Sequence, residues 1–384
     1  MEFGFSEEQK MMRQMVRSFA EKAVKPRAAE MDETDEFPKE IFKQAGDLGL
    51  LAVNFPEEYG GAGADSVSSV LASIELGRVS ATVANICSSI KHHLFCMYHY
   101  GTKEQKETYM PAMARGEIIG SFALTESGAG SDATGIKTQA RLDEDSYVLN
   151  GSKTFITLGP LADFTIVFAV TDASKKSKGI SAFIVEKGTP GFRVGKKEKK
   201  MGQRGNPVSE LLFTDCRIPK SNMLGAEGQG IKIALHSLDS GRIEVAGLAI
   251  GLIQAALEDS VAYAESRVQF GQKISQFQLI QAFIAQMAAD LDAASLLTYR
   301  AAYLKDSGKP FTRESSIAKW FATEAAMKHT TNAIQIHGGY GYCKDYAVER
   351  YFRDAKLTQI YEGTNQIQQI VIAREVLKGG LQWS

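Results

Sequence analysis

The 384-residue sequence predicts an α+β protein in three parts, a helical segment, a β segment and a second helical segment. Three observations support this fold class. Apolar residues recur at helical spacing up to about Arg115, the period falls toward two between about Gly120 and Ile218, and long helical patterns return after Gly230. We place the domain boundaries at residues 1–117, 118–228 and 229–384.

The N-terminal part is predicted to begin with a capped helix. Ser6 is a favourable N-cap residue, and Gln9 follows it at the spacing of a capping box. A loop rich in glycine lies at residues 56–63, and helical periods resume over residues 67–76 and 98–113.

The middle part contains short segments rich in β-branched and aromatic residues and bounded by Gly, Asp or Ser, which is typical of strands. Because no helical pattern lies between them, an antiparallel sandwich or barrel is favoured over a parallel sheet. The predicted strands are residues 147–149, 154–157, 164–170, 180–185 and 210–213.

The C-terminal part carries helical patterns long enough for a helix bundle. They cover residues 231–267, 278–306, 313–336 and 364–377. No internal repeat is visible, and the organisation is helical, β, helical.

The composition argues against a nucleic-acid or membrane protein. Lys and Arg total 44 against 45 Asp and Glu, so the net charge of −1 gives no overall attraction for a polyanion. The acidic N-terminus lacks the apolar core of a signal peptide, and apolar runs such as residues 164–170 are far shorter than the roughly 20 residues that span a bilayer. We expect an intracellular protein without membrane insertion.

Cysteine and histidine spacing does not predict a metal site. The four cysteines form no C-x-x-C pair, so buried free thiols are expected. His92 and His93 are adjacent and point to different faces of a helix, and no Cys or carboxylate stands at ligand spacing. The basic run at residues 196–200 could contact phosphates, but a solvated edge is favoured.

Three segments could carry chemistry, and each has an ordinary structural alternative. Residues 125–132 (TESGAGSD) could bring backbone amides close to a ligand or simply form a turn. Glu362 precedes the last predicted helix, which Thr364 or Asn365 can cap, and could be a general base or an ordinary first-turn glutamate. Residues 337–342 (HGGYGY) could approach a flat ligand or end a helix. Taken singly, each segment favours its structural alternative.

Six segments in order resemble the acyl-CoA dehydrogenase family, and the resemblance covers nearly the whole chain. Each motif alone is weak to moderate, whereas six in the right order are very specific. The short-chain, butyryl-CoA dehydrogenase-like branch is the most similar, especially around residues 239–242. The segments are FALTESGAGSD (122–132), NGSKTFIT (150–157), LDSGR (238–242), RVQFG (267–271), QIHGGYG (335–341) and YEGTN (361–365).

The resemblance implies a C-terminal four-helix bundle, one FAD per subunit and a homotetramer in which a neighbouring subunit helps to hold the FAD. The middle domain would surround the isoalloxazine ring, and the residues from Arg267 to Gln278 would hold the pyrophosphate and adenosine across the interface. The implied FAD-binding residues are Phe122, Leu124, Thr125, Gly130, Ser131, Phe155, Ile156, Thr157, Arg267, Phe270, Gln278, Gln335, Ile336, Gly338, Gly339, Thr364, Asn365 and Gln366.

Glu362 falls on the family's catalytic base. The resemblance implies that Glu362 takes the α-proton of an acyl-CoA while the β-hydrogen leaves as hydride to flavin N5, giving the enoyl-CoA. The Glu362 backbone N–H and a ribityl hydroxyl would polarise the thioester carbonyl. An electron-transferring flavoprotein would accept the electrons. The implied substrate-binding residues are Ser131, Asp239, Arg242, Tyr361 and Gly363.

The chain departs from the family pattern at a few positions. Phe155 stands where Trp is most common, which keeps an aromatic face, and Ser127 stands where Pro is common. Gly241 occupies the position at which some relatives carry the base, so Glu362 keeps that role.

His92 and His93 are unusual in a segment that lines the acyl pocket in the family. We hypothesise that one of them shapes or polarises the acyl cavity, which would suit a branched or cyclic acyl group. A histidine at the surface or behind the pocket is the alternative.

The expected activity is dehydrogenation of a short- to medium-chain acyl-CoA in fatty acid β-oxidation. The alternatives are an acyl-CoA oxidase, although such enzymes usually carry an added C-terminal domain, and a non-catalytic flavin- or CoA-binding scaffold, against which retention of Glu362 argues. We expect a bacterial-type cytoplasmic protein, with a processed mitochondrial form as the alternative.

Overall fold

The first helix begins at the predicted cap. In the structure, a computed structural model that describes residues 4–379, Ser6 Oγ accepts a hydrogen bond of 3.2 Å from the Gln9 backbone N–H, and the Gln9 side chain accepts one of 3.0 Å from the Ser6 N–H. This reciprocal pair satisfies two helix-end amides. The N-terminal helices are α1 (Glu7–Phe19), α2 (Ala28–Thr34), α3 (Lys39–Asp47), α4 (Ser66–Val79), α5 (Ala81–Tyr100) and α6 (Lys103–Ala114).

The single helical stretch predicted over residues 98–113 is wrong, because two helices meet there. Helix α5 ends at Tyr100, and Thr102 caps α6 by accepting a hydrogen bond of 3.2 Å from the Gln105 N–H. At Gly101 between them, a Cβ would lie 2.6 Å from the Met97 carbonyl oxygen, so this close turn requires glycine.

The strands of the middle part form one sheet in the order β6-β7-β3-β2-β4-β5-β8, with β1 beside β4. The predicted strands at residues 147–149 and 154–157 are two ends of one strand, β3, whose register against β7 shifts at two points. The strands are β1 (Gly120–Ala123), β2 (Gln139–Asp143), β3 (Ser146–Thr157), β4 (Phe164–Val170), β5 (Ile180–Glu186), β6 (Phe192–Lys197), β7 (Val208–Pro219) and β8 (Met223–Leu224).

The sheet is mostly antiparallel, as the sequence predicts, although parallel pairs also occur at β4. Strand β1 pairs with β4 in parallel, with Gly120 opposite Phe164. The chain reaches β1 from helix α6 and not through a hairpin, so no tight turn requires β1 to run antiparallel to its neighbour. Along β4, Ile166 faces a core shared with the helices, whereas Val167 faces a second core that β3 and β7 complete. The sheet therefore closes over itself on one face and packs against helices on the other.

Helix α7 lies at the centre of the C-terminal part and packs against α4, α5, α8 and α9. By length and composition alone α7 could cross a membrane. However, 67% of its most apolar stretch of 18 residues is buried inside the protein, as expected for a central bundle helix. The elements are α7 (Gly230–Ser266), β9 (Val268–Gln269), β10 (Gln272–Lys273), α8 (Gln278–Asp306), α9 (Thr312–His337), α10 (Val348–Thr358) and α11 (Asn365–Gly379).

The cysteines are free thiols, and all but one are buried. The prediction of a buried thiol is wrong for Cys343, which is exposed just after the short 3-10 turn Gly338–Tyr342. Within residues 4–379, no group of three or more His, Cys, Asp or Glu side chains is placed to hold a metal ion.

Candidate active site

Glu362 lies in a tight turn between α10 and α11. Its φ is +56° and that of Gly363 is +85°, so both residues adopt the left-handed conformation that glycine tolerates and glutamate rarely adopts. Surrounding groups hold this turn in place, because the Gly363 carbonyl accepts hydrogen bonds of 2.9 Å from Lys319 Nζ and 2.8 Å from Gln368 Nε2. A non-glycine residue held in this way is typical of a functional site.

The Glu362 carboxylate points into a gap that Gly241 leaves in helix α7. A Cβ at Gly241 would lie 2.8 Å from Glu362 Oε2 and 3.0 Å from His92 Nδ1. The Glu362 side chain is 19% exposed, and its Oε1 lies 3.4 Å from His92 Nδ1. Among the described residues, no group hydrogen-bonds to the buried Oε2. A largely buried carboxylate with one free oxygen is suited to accept a proton.

Arg242 lies beside this turn and is 4% exposed. Its Nη1 donates hydrogen bonds to Asp239 and, at 3.3 Å, to Ser316 Oγ, while its buried Nε has no partner in the part of the chain that the structure describes. Burial lowers the pKa of the Arg242 guanidinium and raises the pKa of the Asp239 carboxyl. Arg242 Nη2 is 4.0 Å from the position of a Cβ on Gly363, so a positive charge faces the turn that holds Glu362 and Gly363.

Lys319 is a residue of this site that the sequence analysis missed. It is fully buried on α9, and burial lowers its pKa to about 7. The available signal was its position, because Ser315, Lys319, Ala322 and Ala326 share one buried stripe of the helix. A lysine on such a stripe requires an internal partner.

The start of α11 completes the turn. Thr364 caps the helix as predicted, since its Oγ1 accepts a hydrogen bond of 3.3 Å from the Ile367 N–H. The Asn365 side chain accepts from Lys319 Nζ at 2.8 Å and donates to Glu324 at 2.7 Å. Its side-chain groups are therefore bound within the protein, which leaves only its backbone for the predicted FAD contact. Tyr361 has a buried hydroxyl, and burial raises the pKa of its phenol.

The two motifs of the middle domain, residues 122–132 and 150–157, lie side by side. Lys153 Nζ donates to the Leu124 carbonyl at 3.1 Å and to Glu126 Oε1 at 2.8 Å, and the Thr154 N–H donates to the Thr125 carbonyl at 2.9 Å. Burial lowers the pKa of Lys153 to about 8. Lys153 therefore fixes the segment that leads to Gly130, where a Cβ would meet nothing within 4 Å.

The predicted flavin-facing residues of the middle domain occupy different environments. Phe155 is 65% exposed with a φ of +57°, whereas Ile156 is 2% exposed and packs in the core of the sheet. Ile156 can therefore offer a ligand only its backbone. Phe122 contacts helix α5, since its ring centroid lies 4.6 Å from that of His92. Of the others, Leu124 is buried, Thr157 is half-buried, and Ser131 is exposed.

A cavity of about 420 Å³ brings together several predicted FAD residues from the C-terminal part. Arg267, Ile336, Gly338 and Gly339 line it with the aromatic ring of Tyr340, and the Arg267 guanidinium lies 5.7 Å from that ring's centroid. A Cβ at either glycine would meet nothing within 4 Å, so the backbone is open to a ligand. A guanidinium beside an aromatic ring and open backbone fits a nucleotide carrying phosphates, such as FAD.

Other predicted FAD residues do not line this cavity. Phe270 is 94% exposed and has a φ of +51°. Gln278, Gln335 and Gln366 are also exposed. The contact of Phe270 and Gln278 across a subunit interface stays a prediction.

Models of all three domains of one family match the chain: "Acyl-CoA dehydrogenase, N-terminal domain" at residues 6–117, the middle domain at 121–216 and the C-terminal domain at 228–377. The chain belongs to the acyl-CoA dehydrogenase family. It is therefore an FAD-dependent oxidoreductase with acyl-CoA dehydrogenase activity. The motif-based resemblance and the three-part fold are thus confirmed.

Similar proteins include both named enzymes and solved structures. The acryloyl-CoA reductase (NADH) of Anaerotignum propionicum is 49% identical, covering 98% of this chain and 96% of its own length. The butyryl-CoA dehydrogenase structure from Megasphaera elsdenii has a TM-score of 0.96 at 45% identity, over 98% of this chain and 100% of that one. A chain solved in work on the electron transferring flavoprotein of Acidaminococcus fermentans and electron bifurcation has a TM-score of 0.97 at 47% identity, with the same coverages.

In this acyl-CoA dehydrogenase, the two unusual histidines of α5 lie inside the protein. His92 is 8% exposed and His93 is 2% exposed, so the alternative of a surface histidine is wrong. His93 faces away from Glu362, with its Nδ1 3.1 Å from the position of a Cβ on Gly120. Burial lowers the pKa of the His93 imidazole well below its ordinary value.

Proposed function

We propose that this acyl-CoA dehydrogenase removes the α and β hydrogens of a short acyl-CoA, with Glu362 as the base for the α-proton. The observation that carries this proposal is the buried, unpartnered Oε2 of Glu362 in the gap left by Gly241. Glu362 is held on a turn whose backbone Lys319 and Gln368 fix, so its carboxylate keeps one orientation. Such preorganisation lowers the barrier to proton transfer.

The CoA thioester would lie between α7 and the turn at residues 361–364, here called the catalytic turn. Its carbonyl oxygen would accept a hydrogen bond from the Glu362 backbone N–H, which makes the α-proton more acidic. Arg242, with an unpartnered Nε, Asp239 and Gly363 would contact the thioester, and Tyr361 would line the acyl cavity. Ser131 would contact the CoA portion from the middle domain.

FAD, when bound, supplies the two-electron acceptor for the hydrogen on the β carbon. Support for its nucleotide end comes from the cavity of Arg267, Ile336, Gly338 and Gly339. Backbone groups near Gly130 and the exposed ring of Phe155 would flank the isoalloxazine.

A short acyl group is supported by the space beside His92. The cavity there, between α5 and α7, measures about 10 Å³, which is room for about one water molecule. Ser88 of α5 and Ser240 of α7 line it. The similar proteins named for butyryl-CoA and acryloyl-CoA support the same size class.

We also propose the partners and setting of the enzyme. An electron-transferring flavoprotein as acceptor is supported by the similar chain solved in work on such a flavoprotein. A homotetramer is supported by large exposed apolar side chains such as Phe270 and Leu279, 94% and 79% exposed. Similarity to bacterial enzymes supports a cytoplasmic location.

The test is an anaerobic titration of the flavin-loaded protein with straight, branched and cyclic acyl-CoAs, following the visible flavin absorbance. Bleaching by a short member in wild type, lost in Glu362→Gln, is expected; Glu375→Gln on α11 is the matched control and should bleach as wild type does. Rapid re-oxidation by air would favour an oxidase. Flavin that no acyl-CoA bleaches and no enoyl-CoA re-oxidises after chemical reduction would favour a scaffold.

A further inference from the structure

We propose that His92 is a positioning residue for Glu362. When substrate binds, its Nδ1–H would donate to Glu362 Oε1, which would leave Oε2 as the atom that takes the α-proton. The inference rests on the proposed role of Glu362 as the base. It goes beyond that role, because it assigns the orientation of the carboxylate to a second residue.

The geometry of His92 carries the proposal. Nδ1 lies 3.4 Å from Glu362 Oε1, and the His92 side chain is 6% exposed. Neither ring nitrogen has a hydrogen-bond partner within residues 4–379. A buried imidazole without a partner is costly, so a small closure of this distance on substrate binding is favoured.

The ring of His92 has little freedom to turn away. Its centroid lies 4.6 Å from that of Phe122, edge to face, and Phe122 packs on Phe168 at 4.7 Å. On the other side, Ser237 Oγ donates a hydrogen bond of 3.4 Å to the His92 carbonyl from helix α7. Packing against Phe122 therefore restrains the imidazole, whose Nδ1 faces the carboxylate, and the Ser237 bond fixes the backbone that carries it.

The other charged groups around His92 are engaged elsewhere. On α5, Lys91 donates to Glu244 of α7 at 2.7 Å. Arg242 of α7 pairs with Asp239, and Lys319 of α9 donates to Gly363 and Asn365. The neighbouring His93 faces the sheet.

Among the described side chains, none of these cations hydrogen-bonds to the Glu362 carboxylate. The ring nitrogen of His92 is thus the donor in place to orient it.

The physical consequence is a specific kinetic pattern. A donor to a carboxylate stabilises its ionised form, so its loss should move the acidic limb of the pH–rate profile to higher pH. Loss of orientation should slow proton transfer without weakening acyl-CoA binding. A misplacement of about 1 Å costs about 100-fold in rate.

The experiment compares three variants in anaerobic stopped-flow bleaching with a short acyl-CoA over a range of pH. His92→Leu removes the donor, whereas the amide nitrogen of His92→Asn can occupy nearly the position of Nδ1. His93→Asn is the matched control on the same helix. Flavin content and melting temperature are measured for each variant to show that it is folded.

We expect the limiting bleaching rate of His92→Leu to fall by about 10- to 100-fold at nearly unchanged half-saturation, with the acidic limb moved to higher pH. His92→Asn should recover most of the bleaching rate and most of the wild-type pH dependence, and His93→Asn should match wild type. The proposal is overturned if His92→Leu keeps the wild-type rate and pH limb, or if His92→Asn is no better than His92→Leu. Undiminished bleaching in Glu362→Gln would overturn the proposed base and this inference together. If Glu362→Gln loses bleaching while His92→Leu bleaches as wild type does, this inference alone is overturned.

Discussion

Lys319 Nζ donates a hydrogen bond of 2.9 Å to the carbonyl oxygen of Gly363, the residue after the proposed base. The same nitrogen donates to Asn365 Oδ1 at 2.8 Å. One buried lysine therefore joins the catalytic turn to the first residue of helix α11. Because the turn holds Glu362 at a φ of +56°, these bonds oppose relaxation of a strained backbone.

Replacing Lys319 by Met should impair catalysis more than cofactor binding. The Gly363 carbonyl and the Asn365 side chain would each lose a donor, which costs about 1–3 kcal/mol for a buried polar group. We expect a bleaching rate at least about 10-fold lower and a reduced urea midpoint, with FAD still bound. Lys328→Met is the control, since Lys328 lies on the same helix, is 49% exposed and pairs with Asp290. A wild-type rate in Lys319→Met would show that the turn keeps its geometry without this bond.

Local signals in the sequence are sufficient to predict the long elements and the turn that carries Glu362. Helix α8 has the predicted bounds, Gln278–Asp306, because its apolar period is unbroken and turn residues follow it. The motif around Glu362 predicts a turn before a helix, and Thr364 caps that helix. The edge strand β6 was missed, because its mostly exposed residues carry no alternating pattern.

The contacts that define the site could not be read from local pattern. His92, Gly241 and Glu362 are far apart in sequence and meet only because α5, α7 and the catalytic turn converge. The parallel pairing of β1 with β4 is likewise set by the position at which helix α6 ends. Lys153 lies within one of the family motifs, but its bond to Glu126 depends on the register between two separate segments.

Gly241→Ala should slow the reaction without unfolding the protein. The added Cβ would lie 2.8 Å from Glu362 Oε2 and 3.0 Å from His92 Nδ1, so both side-chain ends must shift. Ala favours a helix over Gly by up to about 1 kcal/mol, which offsets part of the crowding. We expect a melting temperature near that of wild type and a bleaching rate lower by about 10-fold or more. An unchanged rate would contradict the assigned position of the carboxylate.

Arg267→Gln should weaken FAD retention and leave the chemical step intact. The guanidinium lines the cavity of about 420 Å³, away from the catalytic turn, and a charge-assisted bond to phosphate contributes about 1.5–3 kcal/mol. The FAD content of the variant after gel filtration should fall, and it should fall further at high salt. After the variant is reloaded with excess FAD, it should bleach at the wild-type rate. Arg193→Gln, at an exposed position on β6, is the control and should retain FAD. Full retention by Arg267→Gln would place the phosphates elsewhere.

Lys153 should make the free energy of unfolding rise with pH above about pH 8. Burial lowers the pKa of Lys153 to about 8 in the folded protein, against the ordinary 10.5 of an exposed lysine, although Glu126 opposes the shift. Between these two values the unfolded chain binds more protons than the folded one, so stability increases across that window. Lys153→Met removes this contribution along with the bond to Glu126. The difference between the urea midpoints of wild type and Lys153→Met should therefore change in favour of wild type from pH 8 to pH 10. Lys187→Met, at an exposed position, should keep the wild-type slope, and equal slopes in all three proteins would mean that Lys153 titrates as an ordinary lysine.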